Sequence, residues 1–95
     1  MAKTKTRRFD AVNYLKSERD MVGYLEAALE DGSPELVAAA LGDIARARGM
    51  SLVARKTGLQ RENLYRALSP QGNPELSTLL KVVHALGLQL HASAR

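Results

Sequence analysis

Between Arg55 and Ser69 the chain concentrates the groups best suited to chemistry: Arg55, Lys56, Gln60, Arg61, Asn63, Tyr65, Arg66 and Ser69. They are guanidinium, ammonium, amide, phenol and hydroxyl groups, and no nucleophile stands beside a base. Two arginines, an amide and a phenol on one face of a short helix match base edges and phosphates in a major groove. The competing reading is an ordinary helical hairpin whose polar face is simply solvated. Both readings rest on the frame that holds these residues.

That frame is Ser51–Ser69, SLVARKTGLQRENLYRALS, which reads as two short helices joined by a tight turn. Leu52, Val53, Leu59, Leu64 and Leu68 supply apolar contacts, and Ala54 and Ala67 are small where helices meet. Gly58 stands between the two periodic segments, where a positive φ is easiest for a residue without Cβ. Ala54, Gly58, Leu59 and Leu64 have the spacing of a helix-turn-helix. A second helix over about Arg61–Leu68 turns Gln60, Arg61, Glu62, Tyr65, Arg66 and Ser69 outward.

Charge is distributed unevenly along the 95 residues, whose net charge is +4. Residues 1–9 hold four cations and no carboxylate. Residues 10–43 set Lys16 and Arg19 against eight carboxylates, a net of −6. Residues 44–69 set six cations against Glu62, a net of +5, and this basic stretch coincides with the helix-turn-helix. Such coincidence is the electrostatic footprint of a phosphate-facing surface. The acidic stretch avoids DNA and suits a basic partner; its plainer reading is that Glu26, Glu30, Asp31 and Glu35 solvate helix surfaces.

The remaining elements follow from periodicity and caps. Residues 1–8 read as a flexible basic arm. Asp10 reads as the cap of a helix over about 11–16, with Phe9 and Tyr14 spaced as a hydrophobic staple. Ser17, with Asp20 at the capping-box position, opens a second helix whose Met21, Val22, Leu25, Ala28 and Leu29 define a buried stripe. Asp31-Gly32 ends it, and Ser33-Pro34 opens a third that buries Leu36, Val37, Ala40, Leu41 and Ile44 and stops near Arg48, with Gly49 as a left-handed cap. Pro70–Pro74 is a turn, and a last helix over about Leu76–Leu86 points Leu76, Leu79, Leu80, Val83 and Leu86 inward. After Gly87, residues 88–92 alternate like a strand, whose most economical partner is the same strand of a second copy, through Leu88 and Leu90. The alternative is a frayed tail with its leucines packed on the last helix.

Catalysis is not expected. His84 and His91 fall on different elements without a carboxylate or second ligand at metal-binding spacing, and no Gly-rich phosphate loop occurs. No cysteine is present, which excludes disulfides and thiolate metal sites and fits a reducing cytoplasm. The basic N-terminus lacks the apolar run of a signal peptide, and no segment is long enough to span a bilayer. Neither a cofactor nor a metal is expected.

From Phe9-Asp10 and Tyr14-Leu15 onward, and above all over ALGDIARARGMSLVARKTGLQRENLYRALSPQGNPELSTLLKVVHALGL (Ala40–Leu88), the chain resembles a known family. It is similar to the antidote proteins of bacterial type II toxin–antitoxin modules, the HigA-like, Xre-type antitoxins described as probable addiction module antidote proteins. The most specific pieces are DIARARGM (Asp43–Met50), LYRALSPQGNP (Leu64–Pro74) and the ALGL ending. The resemblance implies a lambda-repressor-like dimer that represses its own operon and binds a small basic toxin of the RelE/ParE superfamily. It places the recognition-helix role on Arg61, Asn63, Tyr65 and Arg66. Family members commonly have Ser or Thr where this chain has Gln60, a poorer cap.

The expectation is an all-α, lambda-repressor-like helix-turn-helix domain over residues 9–95, of about five to six helices, with a short C-terminal β-strand used for dimerisation. Its expected partners are operator DNA with an inverted repeat, a cognate basic toxin and a second copy, with no membrane and no small-molecule substrate. Glu26, Glu30, Asp31 and Glu35 are the expected toxin-facing residues. The expected location is the bacterial cytoplasm, at the nucleoid when operator-bound. The rival readings are a stand-alone prophage-type regulator without a toxin and a protein-binding module that has lost DNA affinity.

Overall fold

Ser17 shows how locally the chain sets its helix boundaries. Its hydroxyl accepts the Asp20 N–H at 3.2 Å, and the Asp20 carboxylate accepts the Ser17 and Lys16 N–H groups at 3.2 and 3.1 Å. This capping box satisfies donors that the first turn of a helix cannot pair internally. The computed structural model describes residues 11–94. The Asp10 cap, the Phe9–Tyr14 staple and the basic arm lie outside that range.

Six helices occur among the described residues: α1 (Ala11–Tyr14), α2 (Glu18–Asp31), α3 (Pro34–Arg48), α4 (Met50–Thr57), α5 (Arg61–Ala67) and α6 (Leu76–Ala85). Gly32, at φ 83°, ends α2, its N–H donating to the Ala28 carbonyl. Ser33 caps α3 through the Leu36 N–H, with Pro34 in the first turn, as the residue types dictate. Gly49 behaves differently from the expected left-handed cap. At φ 110° and ψ 112°, a positive-φ conformation outside the helical left-handed region, it closes α3 through its N–H and opens α4 through its carbonyl, so one glycine serves two helix ends.

The core is built around α3, which meets α1, α2, α4, α5 and α6. Val37, Ala40, Leu41 and Ile44 lie at i, i+3, i+4 and i+7, one stripe of a helix, and all are buried. Leu64 of α5 and Val82 and Val83 of α6 are fully buried against the same core. Each such side chain contributes about 1.5–3 kcal/mol relative to exposure. Gly42 permits a close approach of α3 to the end of α5: a Cβ there would collide with the Leu68 carbonyl oxygen.

Four leucines and valines expected inside are outside. Leu36, Val22 and Leu29 are exposed, each one position off the stripe its helix buries. Leu76, the first residue of α6, is 70% exposed, while Val82 takes an inward place that the expected stripe left out.

Among the described residues no strand exists, which overturns the expected C-terminal β-strand. The cause is the exit from α6. Gly87, at φ 79°, donates to the His84 carbonyl and Leu88 donates to the Val83 carbonyl, the paired bonds of a Schellman turn. The Leu88 side chain then packs against the core. Its backbone and side chain are both committed inward, so it cannot act as a free edge. Arg48 secures the same exit, its guanidinium donating to the Leu86 carbonyl at 3.2 Å with Glu18 at 3.7 Å.

A second tie joins α2 to α3. The Tyr24 hydroxyl donates to the Asp43 carboxylate at 2.6 Å, and Asp43 also pairs with Arg46. Burial, then the bond to Asp43, pushes the Tyr24 phenol from 10.0 up to about 12. A raised folded-state value favours the neutral phenol, so its contribution is complete below pH 10 and is lost as pH rises through 12. Tyr24→Phe is therefore expected to lose about 1 kcal/mol at neutral pH, a fall of roughly 4–8 °C in melting temperature. Melts repeated at increasing pH should show the wild-type advantage shrinking from pH 10 upward; an advantage unchanged at pH 12 would contradict the tie.

Candidate nucleic-acid interface

The turn before α5 is fixed by backbone and one hydroxyl. Gly58, at φ 79°, donates to the Ala54 carbonyl and ends α4. Thr57 Oγ1 donates to the Val53 carbonyl at 2.8 Å and accepts the Leu59 N–H at 3.2 Å. Thr57 thus holds the chain through the turn, a function its type permits but its spacing did not announce. Leu59 packs against the core, and Leu64 anchors α5 from below.

With Leu64 down, the opposite side of α5 faces solvent. Gln60, Arg61, Asn63, Tyr65 and Arg66 are exposed, as are Arg55 and Lys56 in the last turn of α4. Gln60 occupies the cap position of α5 without a side-chain cap bond, so its amide is not spent on the helix. The Arg61 guanidinium lies 5.9 Å from the Tyr65 ring centroid, and Tyr65 is itself 45% exposed. Arg66 donates to the Asn63 side-chain oxygen at 3.1 Å. Both arginines are therefore steered by a neighbour on the same helix. Ser69 is set apart from this face. It is half-buried, and its hydroxyl donates to the Arg66 carbonyl at 2.9 Å, closing the end of α5.

The geometry is a short helix seated by one leucine on α3 and α4, presenting cations and amides outward on a basic stretch. A family model for probable addiction module antidote proteins matches residues 5–94 of the chain. The chain belongs to that family. An uncharacterised protein of Haemophilus influenzae (strain ATCC 51907 / DSM 11121 / KW20 / Rd) is similar to it, 51% identical over 81 residues that cover 85% of this chain and 84% of the relative. No solved structure is a significant match to the chain. Membership of the antidote family carries an antitoxin role and, with it, a toxin as partner.

The other expected sites of this antidote protein are less tightly grouped. Glu26, Glu30, Asp31 and Glu35 are all exposed. Glu26 and Glu30 share a groove with the C-terminal segment, whereas Asp31 and Glu35 do not line it. Glu35 sits in the first turn of α3, where a backbone N–H and the Ser33 hydroxyl hold its carboxyl below the usual range. Leu88 and Leu90 separate as well, Leu88 turning into the core and Leu90 remaining exposed. Among the described residues, no helix is long and apolar enough to cross a membrane.

Proposed function

We propose that the chain is a HigA-like, Xre-type antitoxin that represses its own operon by reading operator DNA with α5 and that neutralises a RelE/ParE-type toxin. The observation that carries the DNA half is the outward set Gln60, Arg61, Asn63, Tyr65 and Arg66 on a helix whose opposite side is anchored by Leu64. Arg61 and Arg66 read guanine or grip phosphate, Gln60 offers an amide to a base edge, and Arg55 and Lys56 hold the adjacent backbone. The toxin half is supported by membership of the antidote family. No step of this function is catalytic.

A helix of 7 residues reaches few base pairs, so the operator-bound form is a homodimer with two α5 helices about 34 Å apart on an inverted repeat. The test is a gel shift with the DNA upstream of the chain's own operon, paired with growth rescue against the product of the co-transcribed neighbouring reading frame. Affinity should fall steeply from about 50 to 200 mM salt as phosphate contacts release counterions. Salt-insensitive binding by a monomer would overturn the DNA half. Lack of a co-transcribed neighbour would favour a stand-alone regulator.

A further inference from the structure

Helix α2 has two apolar stripes, and only one is covered. Met21, Leu25 and Ala28 are buried in the core. Val22 and Leu29, 42% and 43% exposed, stand with Glu26 at i, i+4 and i+7 on a second stripe. This stripe forms one wall of a groove of about 1330 Å³ whose other wall is the segment Gly87–Ala94, including Leu90 at 38% exposure. The Schellman turn directs that segment back alongside α2 rather than outward.

The charge of the groove states what it can hold. Glu18, Glu26 and Glu30 line it, and among its described lining residues there is no Lys or Arg. Glu18 is approached by Arg48, but Glu26 and Glu30 have no ion-pair partner among the described residues. An acidic groove on a chain of net charge +4 is a local inversion of the molecule's field. A second copy docked through the same face about a two-fold axis would bring like carboxylates together, which disfavours that occupant. A cationic amphipathic helix satisfies every feature, laying apolar side chains on Val22, Leu29 and Leu90 and ammonium or guanidinium groups against Glu26 and Glu30.

We propose that the groove between α2 and Gly87–Ala94 is the docking site for a basic amphipathic helix of the partner toxin. This rests on the antitoxin reading above and deepens it, by moving the toxin contact from a scattered acidic surface to one groove. Asp31 and Glu35 fall outside the contact, and Val22, Leu29 and Leu90 enter it.

The experiment measures binding of the full chain to the purified product of the co-transcribed neighbouring reading frame. Val22→Asp with Leu29→Asp should weaken binding at least 100-fold. Glu26→Lys with Glu30→Lys should slow association at least ten-fold and abolish its salt dependence. Asp31→Lys with Glu35→Lys should change neither. Operator gel shifts and helix content by circular dichroism should be unchanged for all three pairs, which confirms that the variants are folded. Groove variants that bind like a tightly binding wild type would overturn this inference and leave the antitoxin reading standing. A wild type that neither binds the neighbour nor rescues growth from it would overturn both.

Discussion

Arg61→Ala and Arg66→Ala are each expected to lower operator affinity ten-fold or more while changing folding stability by less than about 0.5 kcal/mol. A bidentate arginine contact to guanine discriminates by about 1–3 kcal/mol, and neither side chain is part of the core. Their neighbours make the expectation more specific. Asn63→Ala removes the oxygen that holds Arg66 at 3.1 Å, so it should weaken binding less than loss of Arg66 itself. Combined with Arg66→Ala it should add less than its separate effect, because both act through one guanidinium. Lys56→Ala, in contrast, should weaken all DNA sequences alike and reduce the salt slope by about 1. Gel shifts on operator and scrambled DNA across a salt series resolve these outcomes. Equal losses on both DNAs for Arg61→Ala and Arg66→Ala would show that α5 only grips phosphate.

Gly42→Ala is the second large effect, and it acts without touching DNA. The added Cβ would collide with the Leu68 carbonyl oxygen, and a backbone atom cannot rotate aside. Leu68 ends the helix that presents Arg61 and Arg66, so relief requires α5 to lift from α3. Overpacking of this kind costs about 1–3 kcal/mol, a drop of roughly 4–8 °C in melting temperature per kcal/mol in a domain of this size. Operator affinity should fall further than the unfolded fraction explains, even well below the melting temperature. A Gly42→Ala protein with wild-type melting and wild-type gel shifts would mean that the two helices do not meet so closely in solution.

Helix boundaries were legible because their signals are local. Ser17 with Asp20, Ser33 with Pro34, and Gly58 each satisfy orphan backbone groups within a few residues, and all three stand where their types imply. The outward face of α5 was readable from Leu64, which fixes the side that is down, except at Ser69, whose hydroxyl turns back to the Arg66 carbonyl. What was not legible depends on neighbours distant in the chain. Val22 and Leu29 match a helical period, yet a period cannot tell a stripe against α3 from a stripe left open beside it. The alternation after Gly87 imitates a strand because a Schellman turn followed by an inward leucine produces the same apolar–polar order. Gly42 gave no signal at all. Its necessity lies in a carbonyl 26 positions away, between Gly42 and Leu68, that only the packed structure brings close.

The seating of both α2 and α5 on α3 has a consequence for descent. Under the proposed function and docking site, substitutions on the outer side of α5 would alter which promoter is silenced, and those on the outer side of α2 would alter which poison is disarmed, with α3 as the common foundation. Duplicated copies of such a gene in one genome can diverge along either axis independently. Crosstalk between sister modules would then be blocked at two separate checkpoints. Chimeras that exchange only α5 between sisters should inherit the operator of the donor and keep the immunity of the recipient.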